Sequence, residues 1–357
     1  MLLVDPGTHA LEHSAVEVLQ RFPALPPRGA AACGETYSAL VELVSPVCDD
    51  VEEAVASLAA ARQRLRAAGA TAIGAGLHPA GEFGDVVHFP SQRYRLIADE
   101  MRGLLSRTPT CAVHVHVGMP DAEAAIRAFN GLRSHMPLLQ ALSANSPFWH
   151  GLDSGLASAR AQVFRAFPTS EIPATFASFD EYAGHVGKLV AASGLPDYTF
   201  LWWDIRLHPA LGTVEVRMMD SQSSLDEVSG LGALVHALAR HAVEDQESSD
   251  DRDVLMESSF RAARDGLDAT LWYDGALRPV AEIARETVQL ARPHARELGC
   301  EAELEAVERM LADGNGAMRQ RAAFAQGGLA GVLEELVEET AQARHQTAGL
   351  GAIGEHI

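Results

Sequence analysis

The sequence predicts an α+β fold. Two observations carry this. Over the first two-thirds of the chain, short segments of apolar–polar alternation are interspersed with segments of helical periodicity, and the last third is almost wholly helical. A strand-rich part of about 1–220 and a mainly helical part of 221–357 are expected to make one domain. In chain order, residues 40–44 (LVELV) form a strand candidate in which Glu42 points away from Val41 and Leu43. Residues 49–68 open with aspartates able to cap a helix, put Val51, Val55, Leu58 and Leu65 on one stripe, and stop at Gly69. In 111–118 (CAVHVHVG), Val113, Val115 and Val117 share one face of a strand and His114 and His116 the other. Residues 121–142 read as a helix through Ile126, Phe129, Leu132, Met136 and Leu139. In 201–208 (LWWDIRLH), Trp203, Ile205 and Leu207 oppose Trp202, Asp204, Arg206 and His208. In 212–220 (GTVEVRMMD), Val214, Val216 and Met218 oppose Glu215 and Arg217. Helices are expected at 225–243, 284–299, 301–314 and 329–344.

Composition removes several classes of function. Forty-eight acidic residues stand against 28 basic ones, a formal charge of −20. That argues against nucleic acid or an anionic membrane as partner, since both need a cationic face. An anionic small molecule stays open, because an arginine cluster or a metal reverses the sign inside a cleft. Four widely spaced cysteines and no CxxC pair argue against a disulfide scaffold or a cysteine-rich zinc site, and for reduced thiols in a cytoplasm. No apolar run reaches the roughly 20 residues of a membrane span, and MLLVDPGTHALEH does not read as a signal peptide. A soluble cytoplasmic protein is expected.

The polar faces of the strands carry the chemistry. Solvated faces usually draw lysine, threonine, serine and glutamate; these draw His-x-His, Asp-x-Arg and Glu-x-Arg, and are expected to line one cleft. Carboxylates with a histidine suit Mg²⁺ or Mn²⁺, and arginines capture carboxylate or phosphate bidentately. Together they are the parts needed for phosphoryl transfer, where positioning and charge neutralisation do most of the work. The chain has no GxxxxGK[ST] loop and no GxSxG, and Pro79 stands where IGAGLHP would need a third dinucleotide-binding glycine, so that segment reads as a strand and turn. A hydrolytic barrel built on His-x-His needs further histidine ligands, and His185, His236 and His241 fall in helical segments.

HVHVGMPD (114–121), LLQALSANSPFWHGLDSGLASARAQVFRAFP (138–168) and WWDIRLHPALGTVEVRMMD (202–220) strongly resemble the type 2 glutamate–cysteine ligase family, the carboxylate–amine ligases. The likeness extends to LVDP (3–6), LVELVSPVC (40–48), QRYR (92–95) and FRAARDGLDA (260–269), and so covers nearly the whole chain. It implies a glutamine synthetase/guanido kinase-like fold: a curved antiparallel sheet cradling ATP and Mg²⁺ (or Mn²⁺), with helices packed on the outer face. It implies that ATP phosphorylates a carboxylate, typically the γ-carboxyl of glutamate, to an acyl phosphate that an amine then attacks. By position, Glu35, Glu42, His116 and Glu215 are expected to hold metal, and Arg217 and Arg206 to be catalytic. His114, Arg93, Tyr94, Asn145, Arg160, Asp204 and Arg264 are expected to bind substrate or nucleotide. Amino-acid substrates and a homodimer are expected, with no nucleic acid and no membrane.

One departure stands beside the match. Family members carry a strand of the form G-[VI]-E-x-E-[FM] just before the LVDP-like segment, whose two carboxylates ligate metal; here Met1 and Leu2 precede LVDP directly. A misplaced start or a shortened chain would explain this. Loss of the strand would leave Glu35, Glu42 and Glu215 to hold fewer metals. The alternative to a ligase is then a relative with lost or altered chemistry, acting as a binding or partner protein or a different acyl-transfer enzyme. Ser258 also stands where the family often has asparagine.

Overall fold

A computed structural model describes residues 1–23, 29–245 and 250–342. Its strands are β1 (Leu2–Val4), β2 (Ala31–Gly34), β3 (Val41–Val44), β4 (Thr71–Ile73), β5 (Ala112–Gly118), β6 (Phe148–Trp149), β7 (Leu152–Asp153), β8 (Ile205–His208), β9 (Thr213–Asp220), β10 (Thr270–Tyr273) and β11 (Ala276–Pro279). Its helices are α1 (Ala15–Arg21), α2 (Val51–Ala67), α3 (Gln92–Met101), α4 (Ala122–Ser143), α5 (Ala159–Phe164), α6 (Phe179–Ser193), α7 (Leu225–Glu244), α8 (Arg252–Asp265), α9 (Val280–Glu297), α10 (Glu305–Asp313) and α11 (Gly316–Ala341).

Three antiparallel ladders, β2–β3, β1–β4 and β5–β9–β8, form the inner layer. Individual bonds stitch them together. Leu3 donates to the Ala39 carbonyl (2.8 Å) and Val41 to that of Met1 (3.1 Å), which joins β1 to the approach to β3. Cys111 donates to the Gly76 carbonyl (2.9 Å), and Leu77 bridges Thr110, which joins the exit of β4 to the approach to β5. The result is an interrupted antiparallel surface in the order β2–β3–β1–β4–β5–β9–β8. Helices cover one side of it. Val117, Val214, Val216, Ile205 and Leu207 form a single buried cluster with Phe129 and Leu132 of α4 and Leu231 and Leu234 of α7. Period-2 alternation thus sends the apolar residues to the helices and the charged ones to the opposite side.

Helix starts sit where their caps place them. Asp50 accepts from the Glu53 amide ahead of α2, and Asp121 from the Ala124 amide ahead of α4. Two expectations are corrected. The strand expected at 201–208 begins only at Ile205, because Trp202 is drawn towards Phe164 and Phe167 while Trp203 packs with Phe176, Tyr182 and His185. The helix expected at 329–344 is the second arm of α11, whose arms meet at Gly328 with φ of 62°; residues 343 and 344 lie outside the described residues. The IGAGLHP segment is a strand end followed by close packing. A Cβ on Gly74 would stand 2.1 Å from the Gln222 carbonyl oxygen, and one on Gly76 2.6 Å from the Asp220 carboxyl carbon.

One irregularity shapes the polar side. Val115 pairs with Val216 but Val113 with Met219, so Arg217 and Met218 of β9 together oppose His114 of β5. This is a β-bulge, and it puts Met219 into the apolar core, where unbroken alternation would put it on the polar face.

Candidate active site

The centre of the polar face is one rung of the three-stranded ladder. Arg206, Glu215 and His116 are direct cross-strand neighbours and therefore share a face. Glu215 is 1% exposed. Its Oε2 accepts from Arg206 Nε at 2.7 Å, and its Oε1 accepts from Arg217 Nη1. His114 Nδ1 and His116 Nε2 each stand 3.6 Å from Oε1. Burial works against ionisation of this carboxyl, but Arg217 foremost, then His114, Arg206 and His116, hold it well below the usual carboxylate range.

The histidines line an open cleft: their side chains keep 30% and 34% exposure, yet protein encloses them on most sides. That enclosure, reinforced by Arg217, drives His114 well below its ordinary value, and it lowers His116 as well, with His208 adding. Both imidazoles are therefore neutral near pH 7 and offer lone pairs. His116 is further oriented by Thr213 Oγ1, 3.0 Å from Nδ1, and by the His208 ring at 5.9 Å. Arg206 also donates to the carbonyls of Thr199 (2.8 Å) and Leu201 (3.1 Å), so most of its fork is committed to the protein. Arg217 bonds Glu215 through one nitrogen, and its buried Nε has no hydrogen-bond partner among the described residues.

A second pole of the cleft comes from β2 and β3. Glu42 accepts from the Cys33 thiol (3.4 Å), its direct cross-strand neighbour, and Glu35 accepts from the Thr36 amide (2.7 Å). Burial raises the Glu42 carboxyl, the like charge of Glu35 raises it further, and Arg217 pulls the other way. Burial with Glu42 and Glu35 pushes the Cys33 thiol up to about 12. Tyr94, at this pole, donates to the Gly34 carbonyl at 3.0 Å. Arg93 donates to Thr199 Oγ1 (2.8 Å) and shares the Thr199 carbonyl with Arg206. Glu35 and Glu42 form no ion pair among the described residues, and a divalent cation is what two crowded carboxylates fit. In this state the four expected metal ligands do not close into one tight cluster among the described residues.

The arrangement is therefore bipolar: arginines and neutral imidazoles around Glu215, and uncompensated carboxylates at β2 and β3. The profile of glutamate–cysteine ligase family 2 matches residues 1–339. The chain belongs to that family. Membership makes it an enzyme, a ligase that forms C–N bonds. Two relatives from Rubrobacter xylanophilus, provisionally named glutamate–cysteine ligases 2-1 and 2-3, are 37% and 41% identical. The first alignment covers 92% of this chain and 89% of that protein, the second 95% and 94%. The fold is also that of a crystal structure of glutamate–cysteine ligase from Francisella tularensis in complex with AMP, with a TM-score of 0.69 at 13% identity. That match covers 96% of this chain and 87% of the other. No helix among the described residues is long and apolar enough to cross a membrane.

Against the expectations for this ligase family, the structure brings Glu35, Glu42, His114, His116, Arg206, Glu215 and Arg217 to one face, with Arg93 and Tyr94 at its edge. Four other expected binding residues have different surroundings. Asn145 is fully buried; its Nδ2 donates to the carbonyls of Gly74 and Ser221, both at 2.8 Å, and its Oδ1 accepts from Gln320 at 2.7 Å. Arg160, 4% exposed, donates to the Met218 carbonyl at 2.9 Å and faces Asp220 at 3.6 Å. Asp204 pairs with Arg165 at 2.8 Å, and its carbonyl accepts from the Arg217 amide at 2.8 Å. Arg160 and Asp204 thus hold the backbone of the bulge that carries Arg217. Arg264 is exposed and bidentate to Asp265. Cys33, Arg165, Thr199 and Thr213 were not singled out from sequence. Their roles depend on cross-strand register and tertiary contact, which no local spacing announces.

Asn145→Ala is expected to lower unfolding stability by about 2–3 kcal/mol, because it leaves buried carbonyls without donors. Turnover per folded molecule should stay intact. Denaturant titration alongside activity checks this, and a stable but inactive variant would return Asn145 to the binding set.

Proposed function

We propose that this chain is an ATP-dependent carboxylate–amine ligase acting on small amino-acid substrates, with glutamate as carboxylate donor, and that the chain forms a single catalytic domain. The observation that carries the reading is the bipolar cleft: Glu215 clamped by Arg206 and Arg217, opposite the unpaired Glu35 and Glu42. In the first step a donor carboxylate oxygen attacks the γ-phosphorus of ATP, ADP leaves, and an acyl phosphate forms. In the second an amine attacks the acyl carbon, phosphate leaves with the C–O electrons, and the amine loses a proton as the amide forms.

Arg217 suits the transferred group. Glu215 orients it, and the N–H donors of its Nη atoms not used on Glu215 are the ones that would bind phosphoryl oxygens as their charge develops. Arg206 braces Glu215, and through it Arg217, in place. Glu35 and Glu42 are the groups that would hold Mg²⁺; His116 stands at the other pole, 3.6 Å from Glu215 Oε1. Bound by the two carboxylates, the cation would neutralise charge on the nucleotide phosphates. Glu42→Gln keeps the shape and removes one charge, so Mg²⁺ affinity by calorimetry is expected to fall about tenfold; unchanged affinity would take Glu42 out of the site.

The reaction is tested by phosphate release from ATP across pairs of amino acids, with Mg²⁺ and with Mn²⁺. Release that requires glutamate together with an amine, and a stoichiometric amide product, is the expected result. Absence of ATP-dependent release with every pair would overturn the proposal.

A further inference from the structure

Outside the cleft, the C-terminal ends of α7 and α9 meet. The last turn of α7 carries His241 and Glu244, and the last turn of α9 carries His294 and Glu297. Each helix therefore presents a His-x-x-Glu pair, three apart on one face. One ligand atom from each of Glu244, His294 and Glu297 lies within 4.8 Å of the others. Glu244 Oε2 stands 3.6 Å from His294 Nδ1, too far for a good hydrogen bond. It is close to the separation of about 3.4 Å between two donors on one tetrahedral zinc ion.

The histidine pair supplies the nitrogen donor. His294 Nε2 lies 3.2 Å from His241 Nδ1, and His241 is 7% exposed. His294 Nδ1 is itself buried and makes no hydrogen bond among the described residues. In the tautomer with Nε2–H donating to His241, the lone pair of Nδ1 points at the Glu244 carboxylate, and a metal cation can take the place that a proton on Nδ1 would otherwise fill. A metal-bound histidine typically donates its other ring N–H to an orienting partner, and His241 is placed as that partner. Two helix C-termini converge here as well, and their dipoles favour a cation. Asp245 Oδ2 stands 3.6 Å from His241 Nδ1, and Arg240 pairs with Oε1 of Glu244 at 2.6 Å while Oε2 is the oxygen that faces His294.

We infer that Glu244, His294 and Glu297 form a binding site for a borderline divalent transition metal, of which Zn²⁺ is the representative, and that the ion clamps α7 to α9. One nitrogen and two carboxylates with room for water fit Zn²⁺ better than Mg²⁺, which prefers an all-oxygen octahedron. The site lies apart from the cleft residues and adds a structural tie behind the sheet.

The test uses the full chain, stripped with chelator and dialysed against Zn²⁺ with Mg²⁺ in excess. Metal content by mass spectrometry and melting temperature with and without Zn²⁺ are read on the wild type, Glu297→Gln, His294→Gln and Glu42→Gln. The wild type and Glu42→Gln are expected to retain one more Zn²⁺ per chain than the other two variants, and to melt higher when it is present. Glu297 is exposed on the last turn of α9, so its amide variant keeps a folded protein in the test. Equal retention by the wild type and Glu297→Gln, or no retained Zn²⁺ in either, would overturn the inference.

Discussion

Glu215→Gln is expected to abolish ligation and to destabilise the fold by about 3–5 kcal/mol, the cost of removing one partner from a buried ion pair. Arg206 and Arg217 both converge on this carboxylate, and glutamine returns a hydrogen bond but no charge. The two guanidiniums, side chains 8% and 13% exposed, would then face each other across a neutral amide. The effect carries a pH signature. Folding lowers the Glu215 carboxyl well below its unfolded value of about 4.3. Its contribution to stability is therefore complete above that value and is lost as pH falls towards the folded one. Denaturation midpoints from pH 7 down to pH 3 should fall more steeply for the wild type than for the variant. Equal stability of the two proteins across that range would mean that the arginines do not depend on Glu215.

Arg217→Lys is expected to lower turnover by about 10²–10³, the usual cost of one lost contact to developing charge, while the melting temperature stays close to that of the wild type. Lysine keeps the positive charge beside Glu215 and so keeps most of the pairing. It loses the planar fork that can hold a carboxylate and a phosphoryl oxygen at once. The structure contains the Glu215–Arg217 pair itself, so a purely structural role for Arg217 makes the opposite forecast: early melting with normal turnover per folded molecule. Steady-state phosphate release and a thermal melt on the same preparation separate the two.

Much of this was legible in the sequence because both periodicities are local. The aspartates ahead of Val51 announced one helix and the apolar spacing of Ile126, Phe129 and Leu132 another, and strand alternation placed His116, Arg206, Glu215 and Arg217 on polar faces before any strand was paired. What sequence could not supply was register. Whether Glu42 meets Cys33, or Glu215 meets both Arg206 and His116, depends on which residues lie opposite. Nor did likeness to a family separate a residue that touches ligand from one that braces those that do. Asn145 and Arg160 lie inside the same motif as open-cleft residues would, and only their burial and their protein partners set them apart. The bend at Trp202 and Trp203 was hidden for a related reason, since alternation continues through a segment whose two indoles are claimed by different clusters.

The bulge at Arg217 and Met218 makes the length of β9 as consequential as its composition. A substitution there alters one side chain. Loss of a single residue would shift the outer end of the strand by one place, turning Met219 out of the core and moving Asp220 away from the serine hydroxyls of Ser146 and Ser158 that it accepts from at 2.7 and 3.0 Å. Lineages descending from this chain are thus free to exchange residues along the strand but not to shorten it, and gaps in an alignment should avoid this position even where identities around it are few.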